Sequence, residues 1–419
     1  MNRFEFSGKL RITLLIGIGI GLLSMILTYF IGDDDLNSRF WSNFLHNSSF
    51  FTGISLMAVF FIAASVTAWA GWYVVFKRLW ESFSIFLFAG LILMTILGIG
   101  NYFQWHFLYH WADDGSVAHD AVLKGKSAFL NKNWYLVGGL LIMGIWIFFR
   151  QKMRRLSIME EKQIMGDYSI HQKLRIYSAV FLPIAGFSSA AMIWLWLMSL
   201  DAHWYSTLYA WYTASSWFVA LVAMVIITLL FLKKLGYYEQ VTDEHIHDLG
   251  KFLFAFSVFW AYLWFSQFML IWYANVGEET VYFKIRKDEY SWLFYGNVVI
   301  NFVVPFFALI ANSFKRHKLW LVIISAVVFV GHWLDFFLMI KPGVLHTAHE
   351  LIGHGIENEE VLMHHHHLPA GFGFPGLFEV GTFIGFLSLF LFLVFSSLGK
   401  AGLVSQADPY IEESLHHHV

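Results

Sequence analysis

His332 and Asp335 stand three residues apart inside an apolar run. On a helix that spacing puts imidazole and carboxylate on one face, where they can hydrogen-bond and pass a proton. The same pair also reads as a structural tie between two helices. An ionisable group at the centre of a membrane span costs about 2.5–3.5 kcal/mol or more, so by default it marks a pathway or a buried pair. Asp201 and His203 form a second pair at the end of another apolar run, where an ordinary helix end in the head-group layer is the alternative. Gln267, within a run, and Glu379, at the start of the last one, complete the set of candidates for proton transfer.

Other chemistries are less well served. The stretch His-Thr-Ala-His-Glu-Leu-Ile-Gly-His at 346–354 lacks the four-residue histidine spacing of a zinc protease motif, since His349 and His354 are five apart. His346 and His349 share a helical face and histidines follow at 364–367, so opportunistic Zn²⁺ or Cu²⁺ binding competes with an outer loop that packs on partner subunits. No metal ligand is assigned from spacing. A transmembrane haem needs two histidines facing each other at similar depth, and His332 is the only histidine well inside a run. Phosphate-binding loops are missing; Gly17-Ile-Gly-Ile-Gly21 lies within an apolar run, where small residues let helices approach.

The elements that must position these residues follow from composition. Of 419 residues, 58% are hydrophobic and 13% charged, and there is no cysteine. A soluble domain carries roughly twice that charge. A net charge of −2 excludes a basic nucleic-acid binder, and the missing thiols exclude disulfides, thiolate zinc sites, Cys-held iron–sulfur clusters and attached c-type haem. Ten runs are long enough, or nearly so, to cross the ~30 Å hydrocarbon core as helices. They span 12–31, 50–69, 82–104, 134–149, 176–200, 210–232, 252–274, 291–311, 319–340 and 380–398. Backbone groups in lipid must be satisfied within the segment, so the expected fold class is an all-α polytopic membrane protein.

Alternating the loops places 19 of the 27 Lys and Arg on the side of the N-terminus, leaving 8 on the other. By the positive-inside rule both termini are cytoplasmic, and residues 12–31 are a retained first span. Asp201, His203, Gln267, His332, Asp335 and Glu379 then all fall in the outer half. The inner half offers mainly hydroxyls and Asn301 down to Lys77 and Glu81 at the interface. An outer proton half-channel is the expectation.

Residues 39–46, Arg-Phe-Trp-Ser-Asn-Phe-Leu-His, echo the stretch Ala-His-Trp-Tyr-Ser-Thr-Leu-Tyr at 202–209, an offset of 163 residues and four helices. Aromatic belts at the membrane interface produce similar echoes. The stretch at 39–45 leading into Ala-Trp-Ala-Gly-Trp-Tyr-Val-Val-Phe-Lys-Arg at 68–78, the basic loop around Arg154 and Arg155, and the His-rich loop before the last span resemble the F subunit of bacterial alternative complex III, a quinol:electron-acceptor oxidoreductase. The resemblance covers essentially the whole chain. It implies a polysulfide-reductase membrane-subunit (NrfD-like) fold with two four-helix bundles, spans two to five and six to nine, and a helix from each chain end. Residues 1–40 would hold the first span, 41–203 and 204–341 the bundles, 342–376 an outer loop and 377–419 the last span and tail.

The resemblance further implies an inner-membrane respiratory subunit without its own redox cofactor or catalytic residue. Haem c and iron–sulfur clusters would sit in two partner subunits, a multihaem cytochrome c and an iron–sulfur protein, while a quinol-binding sister subunit of the same fold, a terminal oxidase and lipids would be further partners. Two alternatives remain: the quinol-binding sister subunit itself, or a stand-alone secondary transporter or ion channel.

Overall fold

The structure, a computed structural model, describes residues 3–32, 36–163, 167–353 and 368–418. It is all-α among these residues, with ten helices long and apolar enough to cross a membrane: α1 Gly8–Ile31, α2 Ser38–Thr67, α3 Val74–Tyr102, α4 Trp134–Glu160, α5 Ser169–Leu200, α6 Leu208–Lys234, α7 Asp243–Ala274, α8 Ser291–Leu309, α9 Lys318–Leu351 and α10 Leu377–Leu398. The protein is therefore a multi-pass membrane protein.

Several helices outrun the apolar stretches that announce them. α2 begins at Ser38, α4 continues past Phe149 to Glu160, and α9 passes through Lys341 and Pro342 to Leu351. The reason is pairing: Asn43, His46 and Asn47 on α2, Glu160 on α4 and Lys341 on α9 are all buried against protein, so polarity does not end the helix. Lys341 Nζ, for example, donates to Ser42 Oγ at 2.7 Å and lies 4.6 Å from the Phe372 ring centre. What reads as the start of an outer loop at 342 is thus still helix. Histidines 354 and 364–367 lie outside the described residues.

α2 packs on α3 and α5, α3 on α4, and α4 on α5, closing a ring of four. α6, α7, α8 and α9 close a second ring in the same order. The rings meet through α2 against α6 and α9, and α5 against α6. α2 and α6 are accordingly the central helices, 83% and 89% buried over their most apolar windows, against 28% for α1. Gly53 of α2 makes this contact close, since a Cβ there would fall 1.8 Å from the Trp217 indole of α6. The two terminal helices are neighbours: α1 packs along α10, which rests on α2 and α3.

Both termini share one end of the molecule, where Phe4 packs on Tyr237 and Phe395 and Arg3 bridges to Gly402. That end is called inner below. At the outer end lie residues 103–133, 201–207 and the short helix Gly277–Asp288.

Candidate functional site

Bundle two is built around Asp335, which is fully buried on α9. Its Oδ1 accepts hydrogen bonds from the Tyr212 hydroxyl and from Asn297 Nδ2 at 2.6 Å. Its Oδ2 accepts from Ser216 Oγ and Trp260 Nε1, both at 3.0 Å. Each of the other three helices of the bundle therefore sends at least one donor to this carboxylate. The local reason is helical spacing. Tyr212 and Ser216 are one turn apart on α6, and Trp260 belongs to the stripe Leu253, Ser257, Trp260, Leu263, Gln267, Ile271 that turns α7 toward the core.

His332 shares the face of Asp335 but does not bond it directly. Ser216 Oγ stands between them, 2.8 Å from His332 Nδ1. With the single Ser216 proton given to Asp335, the histidine is the donor, which sets its Nδ1–H tautomer. Nε2 of His332 has no hydrogen-bond partner among the described residues.

The remaining candidates separate. Asp201 is ion-paired to Arg286 Nη2 at 2.9 Å. Burial opposes the Arg286 charge, but Tyr282 and Asp201 outweigh it and hold the guanidinium above its ordinary value. His203 points its Nε2 at Asp120 Oδ2, 2.5 Å away, and its side chain is 45% exposed. Glu379 is held bidentately by Arg39 at 2.8 and 2.9 Å, bonded by Asn43 at 2.9 Å, and caps its own helix by accepting from Gly376 N at 2.9 Å. Gly371, at φ +79°, passes so near this pair that a Cβ would meet Arg39 Nε at 2.4 Å. Gln267 is buried on the Trp260 face, two turns outward, and its amide nitrogen has no partner among the described residues.

These placements sort the carboxylates by charge balance. Asp201 and Glu379 are neutralised by arginines; Asp335 has four hydrogen-bond donors and no ion-pair partner among the described residues. A buried acid without a fixed cation is the one whose charge a proton can manage.

Outward from Asp335 the rings of Tyr212, Tyr209 and Tyr282 follow one another at centre distances of 6.2 and 6.3 Å. Tyr282 and Asp201 line an outer cavity of about 250 Å³. Inward, Asn301 Nδ2 donates to Asn297 Oδ1 at 2.5 Å, on a π-helical turn at Val299–Val303. Such turns recur at functional sites. Tyr212, Ser216, Trp260 and Asn297 are not among the sequence candidates, because a neutral donor on one helix gains its role only from the carboxylate that another helix brings to it. Their signal was the one-turn spacing of polar pairs inside apolar runs, as in Tyr212/Ser216 and Asn297/Asn301.

At the inner end of bundle one, where the sequence places Lys77 and Glu81, the structure buries a network of paired charges. Lys77 is fully buried, with Nζ 2.6 Å from Asp408 Oδ2 and 3.6 Å from Glu160 Oε2. Glu160 Oε1 lies 2.7 Å from His171 Nδ1. Arg78 pairs with Glu81 at 2.7 Å and Glu161 at 2.6 Å, and Arg154 also reaches Glu81. These charges bury because the helices continue past their apolar stretches and the C-terminal tail covers them.

No protein-family model matches the chain, and no curated protein matches it significantly, so the assignment of a function rests on this geometry and on the residues themselves.

Proposed function

We propose that this chain is a cofactor-free subunit of a bacterial quinol-oxidising respiratory complex of the alternative complex III type. It would lie in the inner membrane with both termini cytoplasmic, beside subunits carrying haem c and iron–sulfur clusters. Within that complex it is a scaffold and the outer half of a proton path. The observation that carries the proton path is the Asp335 centre: a buried carboxylate with no ion-pair partner among the described residues, whose Tyr212 donor is followed outward by the rings of Tyr209 and Tyr282 as far as an outer cavity.

The chemistry of its four donors gives the relay a direction. When Asp335 takes up a proton, its new O–H needs an acceptor. The Trp260 N–H cannot accept, and Asn297 could offer its carbonyl only by flipping its amide and giving up the bond from Asn301, whereas the hydroxyls of Tyr212 and Ser216 rotate freely to accept. Protons therefore exchange through Tyr212 toward the outer cavity, and through Ser216 with His332. The amide pair Asn297/Asn301 orients the carboxylate and does not conduct. The duplicated four-helix rings support the NrfD-like reading and with it the quinol complex.

The test is Asp335→Asn in the intact complex, with Tyr212→Phe beside it, since the latter leaves three donors on the carboxylate. Both are expected to lower the proton-to-electron ratio. Asp335→Asn should also slow coupled turnover by on the order of 10²-fold, the lower end for a positioned proton donor or acceptor. An unchanged ratio with unchanged turnover would leave scaffolding as the only role. Co-purification through a tag at the N-terminus examines the complex itself. Cytochrome c absorbance and iron–sulfur partners are expected, and a colourless chain running alone would sink the respiratory reading in favour of a transporter.

A further inference from the structure

At the outer end, three elements distant in sequence bring nitrogen and carboxylate ligands to one point. His110 lies on a short turn after α3, His203 follows α5, and Glu350 is in the last turns of α9. One ligand atom from each falls within 4.8 Å of the other two. Glu350 Oε2 is 3.2 Å from His110 Nδ1 and 3.6 Å from His346 Nδ1, one turn earlier on α9. Bonds of 2.0–2.1 Å in a tetrahedral zinc site put neighbouring ligand atoms about 3.4 Å apart, and the two spacings bracket that value.

The outer shell fits as well. Asp120 Oδ2 fixes the His203 ring through Nε2, the carboxylate–histidine arrangement that orients metal-bound imidazoles, so the nitrogen that remains for a metal is Nδ1. All four ligand candidates line the cavity of about 250 Å³, which gives an ion a way in.

We propose that His110, His203 and Glu350, with His346 as a fourth ligand, bind one divalent ion of the zinc class that clamps the outer end of bundle one to that of bundle two. Imidazole and carboxylate ligands without thiolate suit Zn²⁺, Cu²⁺ or Ni²⁺ rather than Ca²⁺ or Mg²⁺. The inner group Glu160, His171 and Asp408 also brings ligand atoms within 4.8 Å, yet it is no such site. The Lys77 ammonium already holds the cation position there, 2.6 Å from Asp408. The clamp does not depend on the respiratory reading.

The experiment uses the full chain, purified in detergent through a histidine-free tag, with the histidines at 364–367 and 416–418 replaced by alanine so that they bind nothing. Zn²⁺ is added, and retained metal is measured by elemental analysis after gel filtration and by calorimetric titration. One equivalent is expected. His203→Ala and Glu350→Gln should each weaken binding by about tenfold or more, while His119→Ala should leave it unchanged. Both substituted side chains are partly exposed, 45% and 32%, so misfolding will not imitate the loss, and melts in a chelator check this. A tetrahedral Co²⁺ spectrum that disappears in both variants would be the positive signature. No retained zinc, or equal retention in the parent, His203→Ala and Glu350→Gln, overturns the proposal.

Discussion

At the scale of single residues, the decisive property is what sits opposite each buried charge. Asp408, on the tail beyond α10, shows the consequence for stability. Burial pushes its carboxyl up, but the Lys77 ammonium and its hydrogen bond outweigh that and hold it below the ordinary carboxylate value. A carboxyl lowered in the folded state stabilises fully above its unfolded value near 3.9, and the contribution is lost as pH falls through the lowered folded value. Removing one partner of a buried pair costs about 3–5 kcal/mol. Asp408→Asn should therefore melt lower than the parent at pH 7, and the gap should narrow as the pH is taken below 4. Thermal melts of both proteins in detergent across that range test this, and parallel acid limbs would contradict it.

At the scale of elements, helix contacts are set by where side chains are small. The antiparallel pair α1 and α10 meets through Gly17 against Ser388, Gly21 against Gly385, and Ser24 against Gly381. A Cβ at Gly21 would lie 2.4 Å from Gly385 Cα, which is backbone and cannot step aside. Close backbone approach of this kind drives association in lipid, where no hydrophobic force acts between helices. Gly19, two residues away, has nothing within 4 Å. Gly21→Leu is thus expected to destabilise by about 1–3 kcal/mol, as overpacking does, with Gly19→Leu near neutral. Paired melts decide it, and equal effects would remove the glycine ladder from the account. Element scale also carries the sign of duplication. The third helix of each bundle holds a π-helical turn, Trp134–Gly138 in α4 and Val299–Val303 in α8, 165 residues apart. That is within two residues of the offset of 163 between the aromatic stretches preceding α2 and α6.

At the scale of the whole molecule, the two bundles share an architecture and divide the chemistry. Bundle one buries a lattice of paired charges at the inner end, whereas bundle two buries, on α9, an acid without an ion-pair partner among the described residues, with a row of tyrosine rings toward the outer end. The alternation of loops makes a prediction about sidedness that the absence of cysteine renders clean. Ala118 is exposed at the outer end and Gln240 at the inner end. A membrane-impermeant maleimide applied to intact spheroplasts should label Ala118→Cys and spare Gln240→Cys. The reverse pattern would place the termini outside and invert the proposed path.

Much of this architecture was legible before folding. Apolar length and charge interruption are local properties, so ten spans, an all-α fold and both termini at one end follow from the chain itself, as does the common face of His332 and Asp335. Pairing is not local. The arginine that neutralises Asp201 is 85 residues away and the one that holds Glu379 is 340 away, while the donors of Asp335 come from three other helices. No spacing along one helix encodes the register between two. Apolar length and helical spacing are written along the chain, so they say which segments are long enough to cross a membrane and which residues share a face; which acids meet a cation depends on how the bundles close, and that is a property of the folded chain alone.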